Sequence, residues 1–145
     1  MPHGTQANNE SMSDEAAVLF VNQAFYEAFS AHDLGAMDAI WSRRSPVSCV
    51  HPGWRALSGR DAVMESWAAI LSNPRAPVVI CRNPAAFVFD GIAYVVCYEE
   101  VDSSFLAATN IFAREHMSWK LIHHQAGVAP RLPSAAPAKA SPSLQ

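Results

Sequence analysis

Two patterns divide the chain. Behind Ser13, Asp14 and Glu15, which form a helix-start signal, Ala17, Phe20, Val21, Ala24, Phe25, Ala28 and Phe29 recur at helical spacing and predict a long first helix. His32-Asp33-Leu34-Gly35 breaks it, and Asp33 is placed to cap a short second helix with Met37, Ile40 and Trp41 on its apolar face. A short strand, Val47 to Val50, and a loop through Pro52-Gly53-Trp54 and Leu57-Ser58-Gly59 lead to a third helix from Asp61 to Leu71, with Val63, Trp67, Ile70 and Leu71 inward. After Asn73-Pro74 the chain becomes β-rich: Val78 to Cys81, Ala86 to Phe89, Ile92 to Val101, Phe105 to Ala113 and Trp119 to Gln125 read as strands. Asp90-Gly91 marks a tight hairpin and Arg114 to Ser118 a longer turn. Helices followed by an antiparallel meander is an α+β order, and a strongly twisted sheet with helices on one side leaves a cone whose open end suits a small molecule.

The ends do not join this pattern. Residues 1–12 are polar and 129–145 are rich in Pro, Ala and Ser; both are expected to be mobile tails flanking one folded domain over 13–128. The 145 residues suffice for one ordinary domain. Charged residues are 16% against 50% hydrophobic, which suggests that a second subunit covers some apolar surface. A net charge of -3 without a basic stripe argues against nucleic acid. Apolar runs such as Ile92 to Cys97 fall far short of the roughly 20 residues that span a bilayer, and with no signal-like leader a cytoplasmic location is expected. Cys49, Cys81 and Cys97 sit in strand-like contexts without paired-ligand spacing and read as buried thiols.

Several short segments, in order, resemble the SnoaL-like branch of the NTF2-like superfamily. They are Phe25-Tyr26-Glu27-Ala28-Phe29-Ser30 with Asp33-Leu34, Cys49-Val50-His51-Pro52-Gly53-Trp54, Ser58-Gly59-Arg60-Asp61-Ala62-Val63 with Ser66-Trp67, Ala108-Thr109-Asn110-Ile111-Phe112, and Trp119 through Gly127. The resemblance spans about Asp14 to Gly127. It implies a cystatin-like α+β cone, with three N-terminal helices on a curved, mainly antiparallel sheet, and a homodimer formed through the sheet's exposed face. The superfamily holds isomerases, cyclases and dehydratases as well as a kinase association domain, so the resemblance leaves function open.

It also directs attention to particular residues. His51 matches the position at which ketosteroid isomerases carry their general-base aspartate, and an imidazole there is suited to removing a proton beside a carbonyl. The same comparison puts Phe25 where those isomerases have an oxyanion-stabilising tyrosine, and finds no acid near Thr109 and Asn110 for the second donor. A steroid-type isomerase is therefore disfavoured. Adjacent strand residues point to opposite faces, so His123 and His124 cannot both line one pocket. Alternation groups His123 with Trp119, Leu121 and Gln125, and predicts His123 and Gln125 inward. Trp54, Trp67 and Tyr98 are candidates to clamp an aromatic or alicyclic ligand, with Asn110 as a further polar contact. Arg60 reads as a helix-entry or ion-pairing residue. No zinc-type spacing, phosphate-cradling glycine loop or nicotinamide fingerprint is present, so neither metal nor organic cofactor is expected. Two functions remain: a cofactor-independent isomerase, cyclase or dehydratase-like enzyme with His51 as acid or base, and a non-catalytic binding or association module.

Overall fold

The computed structural model describes residues 13–130; both expected tails lie essentially outside them. Helix α1 (Asp14–Ser30) starts where the Ser13 hydroxyl accepts from the Ala16 N–H at 3.1 Å, and α2 (Leu34–Ile40) where Asp33 accepts from the Ala36 N–H at 3.0 Å. The sheet begins with β1 (Ser48–Val50) and β2 (Leu57–Ser58). After α3 (Arg60–Leu71) it continues through β3 (Val79–Phe89), β4 (Ile92–Val101), β5 (Ser104–Glu115) and β6 (Ser118–Ala129).

The six strands lie in the order β2-β1-β6-β5-β4-β3. All neighbours are antiparallel except β1 and β6, which run parallel and bring Cys49 beside His124. Three helices on a mainly antiparallel sheet is the expected α+β architecture. Among the described residues, no helix is long and apolar enough to cross a membrane.

Three details differ from the sequence expectation. The stretches Val78 to Cys81 and Ala86 to Phe89 are one strand, interrupted by a bulge between Arg82 and Ala85 where Asn83 takes a positive φ of 53°. Leu57-Ser58, expected as loop, is a two-residue edge strand on β1. The buried stripe of α1 is Val18, Asn22, Phe25, Tyr26 and Ala28, whereas Phe20 is 76% exposed. Two polar side chains thus occupy the inner face that apolar spacing alone assigned elsewhere.

Arg60 ties the end of α2 to the start of α3. Its guanidinium donates to the carbonyls of Asp38, Trp41 and Ser42 at 3.0–3.2 Å and pairs with the Asp38 carboxylate. This holds the helical layer over the end of the sheet where β1 enters.

Candidate functional site

At the other end of β1 a cavity of about 200 Å³ opens between α1, α3 and the inner face of the sheet. Phe29, Ile70, Val79, Val101 and Leu106 give it an apolar wall, Pro52 and Trp54 form its rim, and three titratable groups enter it: His51, Glu99 and His124.

His51 follows β1 directly and points to the same side as Cys49. Its ring is 3% exposed, enclosed by Trp54 and Trp67, each edge-on at 4.8 Å between centroids. The Ser66 hydroxyl donates back along α3 to the Val63 carbonyl at 2.6 Å, so its lone pair takes the His51 Nε2–H at 2.9 Å. That fixes the tautomer and leaves Nδ1 as the basic atom. Burial lowers the imidazole to about 4, so it is neutral at physiological pH.

His124 is the inward histidine of β6, fully buried, and His123 is not. The correction has a definite cause. Ile111 pairs with His123 and Phe112 with Leu121, so Ile122 has no partner and forms a bulge. Trp119 and Leu121 are buried as expected, but the extra residue resets the alternation, and His124 and Ala126 follow them inward. His123 faces the outer side, where it accepts from the Ser48 hydroxyl at 2.7 Å and donates to Gln125, which is itself exposed.

A polar chain runs from His124 into the core. His124 Nδ1–H donates to Asn110 Oδ1 at 2.6 Å. The Asn110 amide donates to Asn22 Oδ1 at 2.8 Å and to the Tyr26 hydroxyl at 3.1 Å. Tyr26 in turn donates to Glu99 Oε2 at 2.7 Å. Each of these N–H and O–H donors has an acceptor, as buried polar groups require. With Nδ1 committed, His124 turns its Nε2 lone pair toward Glu99 Oε2, 3.8 Å away. Burial, with the neighbouring His51 and His123, lowers His124 to about 3, so the two groups do not form an ion pair at neutral pH.

Glu99 is the group that sequence reasoning missed. It is 2% exposed on the inner face of β4, and burial raises its carboxyl from an ordinary 4.5 to about 7 against the opposing hydrogen bond from Tyr26. Its second oxygen, Oε1, has no hydrogen-bond partner among the described residues, and the side chain lines the cavity. At neutral pH it is poised between acid and base. Its neighbour Tyr98 was expected to contact ligand but lies on the outer face: Ala93, Val95, Cys97 and Glu99 turn inward, so Tyr94, Val96 and Tyr98 turn out.

The remaining expected residues divide. Trp54 stands at the rim, 45% exposed, over His51. Trp67 is fully buried behind His51 and does not line the cavity. Asn110 is inward, with Thr109 on the opposite face, but it does not line the cavity; its side chain holds His124 and Tyr26 in place. Tyr26 and Glu99 together supply a phenol and an acid that the positions of Phe25 and Thr109 do not. Among the described residues no cluster of three or more His, Cys, Asp or Glu side chains has metal-binding geometry.

Comparison with known proteins places this arrangement. Residues 18–130 match the SnoaL-like domain. A protein from Streptomyces avermitilis, provisionally named a dehydratase of the NTF2-like family, superposes with a TM-score of 0.74 at 31% identity, over 81% of this chain and 97% of its own. A protein from Thiobacillus denitrificans, provisionally named a calcium/calmodulin-dependent protein kinase type II association domain, gives 0.68 at 26%, over 75% and 92%. An uncharacterised Caulobacter vibrioides protein with a cystatin-like fold, 16% identical over 79% and 88%, gives 0.69 and shares the fold. No protein of curated function matches the chain.

Proposed function

The chain belongs to the SnoaL-like family of the NTF2-like superfamily, and from that premise we propose that it binds a small, largely apolar cyclic molecule in the cavity and moves a proton on it without a cofactor. The observation that carries this reading is Glu99: a carboxyl buried on the inner face, raised by that burial to about 7, with one oxygen held by Tyr26 and the other without a hydrogen-bond partner among the described residues. A ligand carbonyl beside Oε1 would receive the Glu99 proton while neutral His51 takes one from the adjacent carbon, giving an enol. Return of a proton elsewhere gives an isomer; loss of a β-hydroxyl gives a dehydrated product. The resemblance to the Streptomyces avermitilis protein agrees with this class of chemistry.

The test uses cyclic enones and cyclic ketones as probes, incubated with the protein in D2O and followed by NMR for deuterium uptake beside the carbonyl. Uptake above the buffer rate that falls at least about 100-fold in both His51→Gln and Glu99→Gln supports proton transfer. Binding of the probes with uptake no faster than in the double variant would assign the cavity to the non-catalytic reading.

That second reading has its own support. Ile80, Phe87, Phe89 and Val96 are 42–57% exposed on β3 and β4, with Phe87 stacked on Tyr94 at 5.0 Å. Such a strip suits a homodimer formed face to face, and the likeness to the Thiobacillus denitrificans protein favours an association role.

A further inference from the structure

A second cleft, also about 200 Å³, lies between α1 and the edge strand β3 and shares only Val79 with the lining of the cavity above. Gln23, Tyr26, Glu27, Ser30, Val79 and Cys81 line it. Cys81 is partly exposed, whereas Cys49 and Cys97 are buried.

Cys81 does not stand alone. It pairs across the sheet with Glu99, so Cys97, two residues earlier on β4 and on the same inner face, is its diagonal neighbour. Both side chains turn to the inner face, where the Tyr26 hydroxyl lies 3.4 Å from Cys97 Sγ. The Asn22 amide donates to Cys81 Sγ at 3.6 Å. The neighbouring Cys97 thiol and the Asn22 amide hold Cys81 below the ordinary thiol range against the effect of burial, while Cys97 is pushed well above it. Cys49, buried against His51, is pushed up to about 12 by desolvation. One thiol is therefore accessible and activated, a second sits diagonally across the ladder as a resolving partner, and the third is inert.

We propose that Cys81 and Cys97 form an oxidisable dithiol that takes hydroperoxides through the cleft between α1 and β3. The Cys81 thiolate attacks one peroxide oxygen; the O–O bond breaks, and the leaving oxygen picks up a proton to depart as water or alcohol, leaving a sulfenic acid. The Cys97 sulfur then attacks the Cys81 sulfur, the S–O bond breaks, and the hydroxyl leaves as water with the Cys97 proton. Two thiols are oxidised to a disulfide and one hydroperoxide is reduced. The bulge at Asn83-Pro84, two residues beyond Cys81 on an edge strand, interrupts the ladder opposite Cys97, so no regular pair has to be broken there for the bridge to close. Oxidation would also take the Cys97 thiol from the Tyr26 hydroxyl, 3.4 Å away, and so reach the partner of Glu99.

The experiment treats the full chain, freed of reductant, with hydrogen peroxide at neutral pH and reads intact mass and a non-reducing peptide map. The expected product has lost two hydrogens and contains a Cys81–Cys97 linked peptide. Cys97→Ser should stop at a sulfenic acid on Cys81 that dimedone traps, and Cys81→Ser should consume peroxide about tenfold more slowly or less. Iodoacetamide labelling of the native wild type gives a check free of any variant, and should modify Cys81 at least about tenfold faster than Cys49. Equal labelling of Cys49, peroxide consumption by Cys81→Ser at the wild-type rate, or links only between chains would overturn the proposal. None of these readouts depends on the function of the other cavity.

Discussion

Replacing Glu99 by Gln tests the site through stability, without a known substrate. The amide copies the protonated acid, keeping an oxygen to accept from Tyr26 and removing the ability to ionise. In the wild type the carboxyl is raised from 4.5 to about 7 on folding. At about 1.4 kcal/mol for each tenfold change in proton affinity, ionising it inside the folded protein costs about 3 kcal/mol more than in the unfolded chain. The folded state binds this proton more tightly, so the associated stability is complete below pH 4.5 and is lost as pH rises through 7. His51 and His124, lowered to about 4 and 3, act in the opposite direction below pH 6.5, but they do so in both proteins and cancel in the difference. Urea denaturation at fixed protein concentration from pH 4.5 to 8 should show the Glu99→Gln curve gaining on the wild type by about 3 kcal/mol, or roughly 10 °C in Tm. A gap that stays constant over that range would mean that Glu99 is not a buried acid with a raised pKa, and the proposed proton transfer would lose its acid.

Two further perturbations address the facing of the last strand and the outer sheet. His124→Ala should cost about 2–4 kcal/mol, because it opens a void and leaves Asn110 Oδ1 without its donor, whereas His123→Ala should stay within about 1 kcal/mol; equal costs in urea denaturation would contradict the facing described. The double change Phe87→Glu and Val96→Lys, both at outward positions, should leave the fold intact by circular dichroism and convert a dimer to a monomer in sedimentation, and a dimer that survives it does not use this face.

Sequence patterning revealed the layers and concealed the chemistry, for one physical reason in each case. The caps at Ser13 and Asp33 and the hairpin at Asp90-Gly91 are local signals, and local signals are written in adjacent residues. Tyr26 and Asn22 escaped because a search for apolar spacing passes over polar residues that meet their partners only through tertiary contact. On β4 the polarity is inverted at one position, with Glu99 inside and Tyr98 outside, and an outer face of Tyr94, Val96 and Tyr98 removes the contrast that period-two reasoning needs. His51 could be singled out by its resemblance, but its pairing with Ser66 depends on the packing of α3 against the end of β1, and its nearness to His124 on the parallel β1–β6 contact, neither of which a local signal predicts.

The bulge at Ile122 makes β6 one residue longer than its ladder with β5 requires. Excising Ile122 would leave Phe112 opposite Leu121 and Ile111 opposite His123, so each side chain on both flanks would keep its face. What the surplus residue provides is a bend: a bulged strand coils more sharply than a regular one. That bend carries the far half of β6 round toward β1 and sets His124 with its ring centroid 6.3 Å from that of His51. A chain shortened by this one residue would keep its pairing and flatten, and the distance between its two imidazoles would report how much of the pocket's curvature a single peptide unit supplies.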